Sequence, residues 1–114
     1  MAARGGVEFG AHTHTHPILS RLASREETAA EICLSKQRLE TEMGASAIHF
    51  CYPNGMEADI GPFAPGIVRE AGFRSAVTTT VGMNERETDR FHLLRIGVEP
   101  DYPEMYFQRC LVRA

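Results

Sequence analysis

The sequence lacks a run of basic residues. Lys36 is the only lysine, and the 12 Lys and Arg residues are outnumbered by 15 acidic ones, which gives a formal charge of −3. Proteins that bind nucleic acids or anionic membranes usually carry a basic patch. The sequence therefore predicts no nucleic-acid and no membrane partner, and it favours a neutral or cationic substrate.

Paired cysteines and long apolar runs are also missing. The three cysteines, at positions 33, 51 and 110, are widely spaced, and none belongs to a C-x-x-C motif. This argues against a disulfide framework and favours a reducing compartment. No run of apolar residues reaches transmembrane length, and the first residues do not resemble a signal peptide. We therefore expect a cytoplasmic protein.

The chain is short for an enzyme built on a barrel. It has 114 residues, 43% of them apolar, with no repeat or low-complexity segment, which is typical of a globular protein. Barrel enzymes usually need about 200 residues or more. We expect residues 1–114 to form a single domain that is only part of such a fold.

The hydrophobic pattern alternates between strands and helices. Ser24 and Glu27 form a capping box that predicts the start of a long helix, which Gly44 ends. The predicted strands are 7–11, 47–52, 73–79 and 93–98, and the predicted helices are 24–43, 65–71 and 103–112. This alternation is typical of an α/β fold with mostly parallel strands and crossover helices. The pattern alone leaves open whether the sheet belongs to a barrel or to an open layer.

Three of the five histidines, His12, His14 and His16, lie within five residues. Neutral imidazole is the commonest side-chain metal ligand near neutral pH, so the cluster predicts a divalent metal site, with zinc favoured. Sites in parallel sheets gather at the carboxyl ends of strands. The cluster and the segment Tyr52–Gly55 each follow a predicted strand, so we expect both at the same edge of the sheet.

Four segments resemble one known family. Residues 10–19, GAHTHTHPIL, are similar to the motif G-(S/A)-H-T-x-(S/T)-H-P-x-L of the polysaccharide deacetylases, which are carbohydrate esterase family 4 with a NodB homology domain. Residues 50–55, FCYPNG, resemble its F-A-Y-P-Y-G or R-P-P-Y-G motif. Residues 69–79 resemble R-E-A-G-Y-x-x-A-V-T-T, and residues 94–96 resemble its L-x-R-I ending. The resemblance covers residues 5 to 110.

The resemblance implies a partial, distorted β/α barrel of NodB type. It implies hydrolysis of the N-acetyl or O-acetyl group of a carbohydrate, or of a small amide, with one bound divalent metal. By this resemblance His12 and His16 are the metal ligands, and His14 occupies the variable position between them.

The same resemblance places the segment Tyr52–Gly55 beside the metal. The backbone N–H of Asn54 or Gly55 would stabilise the oxyanion, because Pro53 has no N–H to donate. Tyr52 and Pro53 would contact the substrate.

The chain departs from the family at several positions. The T-F-D-D motif, which supplies an aspartate base and a third metal ligand, does not occur in it, whereas catalytic zinc normally has three protein ligands. We therefore expect a carboxy-terminal part of a longer domain, without its amino-terminal strands. Weak metal affinity, little turnover and self-association through exposed strand edges would follow.

Other positions bear on the ligand set and on the general acid. His14 is an alternative third ligand if the first strand continues, because residues i, i+2 and i+4 of a strand share a face. The arginine of R-P-P-Y-G is Cys51 here, and the family's L-x-H general acid has no counterpart. We expect His92 to be a surface residue, and His49 to be a core residue of a strand buried on both faces.

Two rival functions remain open. His12-Thr13-His14 also fits the H-x-H opening of amidohydrolases and histidinol-phosphatase-type enzymes, which would bind metal through His12 and His14. The missing aspartates instead favour a non-catalytic relic or a carbohydrate-binding module.

Overall fold

The computed structural model describes residues 6–101, 103–105 and 108. After a 3-10 turn at Leu19–Arg21, the elements in chain order are α1 (Arg25–Met43), β1 (His49–Cys51), α2 (Glu57–Ile60), α3 (Ala64–Glu70), β2 (Ser75–Val81) and β3 (Leu93–Arg95). The helix predicted at 103–112 lies largely outside the described residues. Among the described residues, no helix combines the length and the apolar character needed to cross a bilayer.

The three strands form a parallel sheet in the order β1-β2-β3. Ala11 forms an isolated parallel bridge with Phe50 on the free side of β1. The N–H of Ala11 donates to the carbonyl of His49, and the N–H of Cys51 donates to the carbonyl of Ala11, each over 2.9 Å. Four successive segments thus run in one direction with their carboxyl ends at one edge, which we call the carboxyl edge. The prediction of an α/β fold with parallel strands is confirmed.

Helix α1 follows its sequence signals closely. The Ser24 hydroxyl accepts the N–H of Glu27, and Gly44 ends the helix in the left-handed conformation, at φ 68°. Ile32 is fully buried on the inner face of α1. It belongs to a core cluster that also includes Phe50, Ala64, Val68, Phe73 and Ala76. Helices α1 and α3 therefore cover one face of the sheet.

Strands β1 and β3 are shorter than predicted, β2 has the predicted length but begins two residues later, and one face of the sheet is less covered. Of the predicted strand 7–11, only the bridge at Ala11 forms. Strand β1 buries Phe50, whereas its neighbours His49 and Cys51 point to the other face and are partly exposed. The predictions of a strand buried on both faces and of a core His49 are wrong, because the described helices pack on one face only. His49 instead contacts Ser75, with Nδ1 2.6 Å from its hydroxyl, and Glu8, with Nε2 3.4 Å from its carboxylate.

Candidate metal centre

His12 follows the bridge at Ala11 and lies at the carboxyl edge. Its Nδ1 is 2.7 Å from the carbonyl oxygen of Cys51 on β1. Because a carbonyl oxygen can only accept, this contact places the ring proton on Nδ1. The lone pair of Nε2 is then available to a metal ion, as in many metal sites where a carbonyl orients the ligating histidine.

The segment after His12 turns sharply. Thr13 and His16 both have positive φ, at 68° and 60°, which is uncommon for residues with a side chain. The N–H of His16 donates to the Thr13 hydroxyl over 3.1 Å. This turn brings the imidazoles of His12 and His16 together, with ring centroids 4.8 Å apart and planes at 67°. The two histidines singled out by the motif are therefore neighbours.

His14 does not complete a ligand set. Positive φ at Thr13 breaks the extended conformation that would place residues 12, 14 and 16 on one face. The part of the chain that the structure describes contains no group of three or more His, Cys, Asp or Glu placed to hold a metal ion. The described residues therefore offer two adjacent imidazoles, and a ligand role for His14 stays an untested alternative.

The carboxylate of Glu31 on α1 accepts hydrogen bonds from this histidine loop. Its Oε2 accepts the N–H groups of His14 and Thr15 at 2.9 and 2.8 Å, and its Oε1 accepts the Thr15 hydroxyl. Burial by itself would raise the pKa of Glu31, but these hydrogen bonds outweigh it and hold the pKa below its ordinary value. The carboxylate is therefore charged at neutral pH. Sequence reasoning missed Glu31, because nothing in its spacing relates it to a loop 15 residues upstream.

The turn after β1 lies beside His12 at the same edge. Thr79 of β2 fixes it twice: the Thr79 N–H donates to the Gly55 carbonyl over 2.9 Å, and its hydroxyl donates to the Asn54 carbonyl over 2.6 Å. Both Asn54 and Gly55 have positive φ, at 59° and 77°. The prediction that the histidine segment and this turn meet at one edge of the sheet is confirmed.

The turn has one amide suited to an oxyanion. The N–H of Gly55 donates to the Pro53 carbonyl over 2.6 Å, so this donor is already used. Asn54 is exposed, and its N–H has no hydrogen-bond acceptor among the described residues. Of the two predicted donors, Asn54 is the one whose amide is available.

The structure does not support substrate contacts by Tyr52 and Pro53. Both side chains are fully buried. The Tyr52 ring packs against that of Phe50, two residues earlier, on the helix-covered face of the sheet. Its hydroxyl donates to the Phe91 carbonyl over 2.8 Å. Burial accordingly raises the pKa of Tyr52. Both residues anchor the turn, and their contact with a substrate stays a prediction.

Arg95 brings a positive charge to the uncovered face. Its Nε donates to the carbonyl of Thr78 over 2.8 Å, and its Nη2 lies 3.0 Å from the Sγ of Cys51. The side chain thus crosses β2 from β3 and ends at the residue whose carbonyl orients His12. The sequence contains one indirect signal for an arginine at this place. Cys51 occupies the position that is arginine in the motif R-P-P-Y-G.

The fifth histidine, His92, lies away from this centre. Its Nδ1 is 3.1 Å from a carboxylate oxygen of Asp89 and its Nε2 is 4.0 Å from Glu57. Its ring tilts against the buried ring of Tyr52, with centroids 6.3 Å apart. His92 is therefore partly buried on the helix-covered side, and the structure gives no support for a general-acid role.

Comparison with protein families identifies the chain. A family model described as polysaccharide deacetylase matches residues 1–74. The chain belongs to the polysaccharide deacetylase family. A comparison with curated protein sequences finds no match.

Three solved structures share the fold of this member of the polysaccharide deacetylase family. The Streptococcus pyogenes deacetylase PplD, in complex with acetate, matches with a TM-score of 0.84 and 24% identity, over 94% of this chain and 46% of that chain. IcaB from Ammonifex degensii matches with a TM-score of 0.68 and 23% identity, over 81% of this chain and 42% of that chain. The BpsB deacetylase domain from Bordetella bronchiseptica matches with a TM-score of 0.68 and 16% identity, over 82% and 44%.

These matches confirm the predicted fold class. The open parallel sheet with helices on one face corresponds to part of the NodB-type barrel. The chain spans less than half the length of each of the three structures.

The residues of this family member fit part of a zinc site. Two adjacent imidazoles, one with its tautomer fixed by a backbone carbonyl, are donors that zinc prefers. A catalytic zinc ion usually takes a third protein ligand, and the described residues do not supply it. The arrangement therefore fits two of the three protein ligands that a catalytic zinc ion usually takes.

Proposed function

We propose that this chain forms the histidine side of the active site of a metal-dependent carbohydrate deacetylase. The observation that carries the proposal is the side-by-side pair His12 and His16, with Nδ1 of His12 held by the Cys51 carbonyl. The pair occurs in a member of the polysaccharide deacetylase family. The substrate would be a carbohydrate that carries an N-acetyl group, and an O-acetyl group or a small amide would undergo the same hydrolysis.

His12 and His16 would hold a divalent ion, for which zinc is the first candidate. When bound, such an ion polarises the acetyl carbonyl and lowers the pKa of a water molecule to near neutrality. Cys51 orients the imidazole of His12 through its carbonyl, and the Thr13 hydroxyl holds the N–H of His16. The ligands are therefore positioned before any ion arrives.

Two further groups would stabilise negative charge on the acetyl oxygen. The N–H of Asn54 at the carboxyl edge has no acceptor among the described residues, and preorganised amide donors are effective where charge develops in a transition state. The guanidinium of Arg95 lies against Cys51, one residue away from the turn. Its uncommitted N–H groups would attract the acyl oxygen or the acetate product, because guanidinium pairs well with carboxylates.

One observation favours a second candidate for the chain taken alone. The described residues provide two metal ligands and not three. A non-catalytic module that binds carbohydrate would need no complete ligand set. The amidohydrolase alternative is less well supported, because it pairs His12 with His14, whereas the ring of His12 contacts that of His16.

An assay on N-acetylglucosamine oligomers with added zinc or cobalt tests the proposal. We expect little acetate release from the 114-residue chain and clear release from a form extended upstream by a segment with the T-F-D-D motif. His12→Ala in the extended form should abolish release. Activity that survives this substitution would refute the proposal. Oligomer binding without hydrolysis in the extended form would favour the non-catalytic module.

A further inference from the structure

We propose that Glu31 is a positioning residue that sets the geometry of the histidine loop, residues 12–16, and thereby the affinity for the metal. This inference rests on the proposed function, because it concerns the same two imidazoles. Glu31 does not touch either ring of the pair in the contacts described above. It acts through the backbone between them.

Glu31 contacts the residues that lie between the two proposed ligands in the sequence. Its carboxylate receives two consecutive backbone amides, those of His14 and Thr15, and also the Thr15 hydroxyl. In the sequence, His12 and His16 flank the two residues that donate these three hydrogen bonds. Three donors that converge on one side chain leave the intervening backbone little freedom, so they fix the distance between the two ligands.

The loop needs this support because its backbone is unusual. Thr13 and His16 are both in the left-handed region, which residues with a side chain seldom adopt unless their surroundings hold them there. Local support comes from the Thr13 hydroxyl, which accepts the N–H of His16 and donates to the carbonyl of His12. Without Glu31, the unpaired amides of His14 and Thr15 would favour other loop conformations, in which the imidazoles separate.

A carboxylate suits this position better than its neutral analogue. An ionised carboxylate only accepts hydrogen bonds and has two oxygens for the three donors, whereas an amide group has one acceptor oxygen and one NH₂ group. In Glu31→Gln the amide oxygen would accept the two backbone N–H groups and the NH₂ group would donate to the Thr15 hydroxyl, so three charge-assisted hydrogen bonds would become weaker neutral ones. The substitution preserves size, and Glu31 lies at an intermediate depth outside the buried core cluster.

The same helix offers a matched control. Glu27 lies one turn earlier on α1, and its carboxylate accepts the backbone N–H of Ala23 over 2.9 Å. Glu27 therefore supports the start of the helix, whereas Glu31 supports the histidine loop. Glu27→Gln removes the same charge and the same kind of hydrogen bond from the same helix.

The first test compares zinc binding of the 114-residue chain and its variants by calorimetry, with thermal unfolding in EDTA as the stability readout. We expect Glu31→Gln to weaken zinc binding about 10- to 100-fold, as found for other groups that orient metal ligands, and also to lower Tm, because the hydrogen bonds that lower the pKa of Glu31 stabilise the fold. Glu27→Gln should lower Tm and leave zinc affinity unchanged. Wild-type affinity in Glu31→Gln would overturn the inference.

The second test needs no metal. In the metal-free protein, Glu31→Gln should speed amide hydrogen exchange at His14 and Thr15 and weaken the proton contacts between the His12 and His16 rings in NMR spectra. If both measurements match the wild type, the inference is wrong even where no zinc binds. Absence of zinc binding by the wild type, in the form extended upstream with T-F-D-D, together with a loosened loop in the variant would count against the proposed function alone.

A milder variant serves if Glu31→Gln does not fold. Thr15→Val removes one of the three donors and leaves the carboxylate in place. It should weaken zinc binding several-fold and retain wild-type Tm. Unchanged affinity and unchanged exchange at His14 would overturn the inference.

Discussion

The Nδ1 atom of His12 lies 2.7 Å from the carbonyl oxygen of Cys51 on the neighbouring strand. The same Cys51 donates its N–H to the carbonyl of Ala11, and its sulfur atom accepts a hydrogen bond from Arg95. One residue of β1 thus fixes the register of the edge segment, the tautomer of His12 and the position of a guanidinium. The geometry of the candidate centre consequently depends on the sheet as much as on the histidine motif.

The turn beside His12 should not tolerate a side chain at Gly55. A Cβ there would lie 2.9 Å from both the backbone nitrogen and Cγ2 of Thr79, and φ is 77°. We expect Gly55→Ala to lower the free energy of unfolding by about 1–3 kcal/mol, the usual range for a strained backbone position. Urea denaturation measures this change.

Gly66 is the matched control for that substitution. It lies within α3, and nothing lies within 4 Å of a Cβ built on it. Gly66→Ala should stabilise the protein by about 0.5–1 kcal/mol, because glycine is unfavourable inside a helix. A loss of stability in Gly66→Ala equal to that in Gly55→Ala would show that the turn is not special.

The core under the sheet depends on Ile32 of α1. Ile32 is fully buried, whereas Leu34 on the same helix is 46% exposed. We expect Ile32→Ala to lower the free energy of unfolding by about 2–5 kcal/mol. Leu34→Ala should cost less than about 1 kcal/mol, since little apolar area leaves the solvent there. Equal losses for the two variants in chemical denaturation would contradict the described packing.

The features that the sequence predicted are those set by local chemistry. The capping box at Ser24 and the glycine at the end of α1 act over a few residues, so they were recognisable and correct. Motif resemblance also placed His12 and His16 together. The alternation of strands and helices predicted a parallel sheet, and therefore that these histidines would lie at its carboxyl edge.

The features that the sequence did not predict depend on distant contacts. The turn at Thr13 and His16, which brings the ring of His16 and not that of His14 against His12, is held by Glu31 from α1. Arg95 reaches Cys51 from a strand 44 residues away. The burial of one face of β1 reflects which helices pack on the sheet. None of these relationships leaves a periodic or spacing signal in the chain.

The position of Arg95 predicts a specific rescue. In a form of the protein extended upstream to carry T-F-D-D, Arg95→Gln should lower kcat at least about tenfold, because lost charge stabilisation in an active site commonly costs this much or more. Adding Cys51→Arg should restore part of the activity, since the new guanidinium starts at the residue that Arg95 now contacts. If Arg95→Gln leaves the rate of acetate release unchanged, Arg95 has no part in the reaction.

Asp89 should make stability depend on pH in the acidic range. The backbone N–H of Phe91 is the main group that holds the pKa of Asp89 below its usual range, with His92 acting in the same direction and burial opposing both. Because the folded pKa is the lower one, the stabilisation is present above the ordinary pKa of aspartate and is lost as pH falls through the folded value.

Asp89→Asn should therefore lower Tm at pH 7, and its difference from the wild type should shrink as the pH approaches 3. The loop that Asp89 caps carries the Phe91 carbonyl, which holds the hydroxyl of Tyr52. Thermal unfolding at several pH values measures this effect. A Tm difference that is the same at pH 7 and pH 3 would contradict the assigned ionisation.

The identity of the ligands is the central claim, and ¹H–¹⁵N NMR of the histidine rings during a zinc titration tests it most directly. All five histidines are distinguishable by single His→Gln variants. We predict that the Nε2 resonances of His12 and His16 shift together with zinc, while Nδ1 of His12 stays protonated and the ring of His14 is unaffected. A joint shift of His12 and His14, with His16 unchanged, would contradict the account.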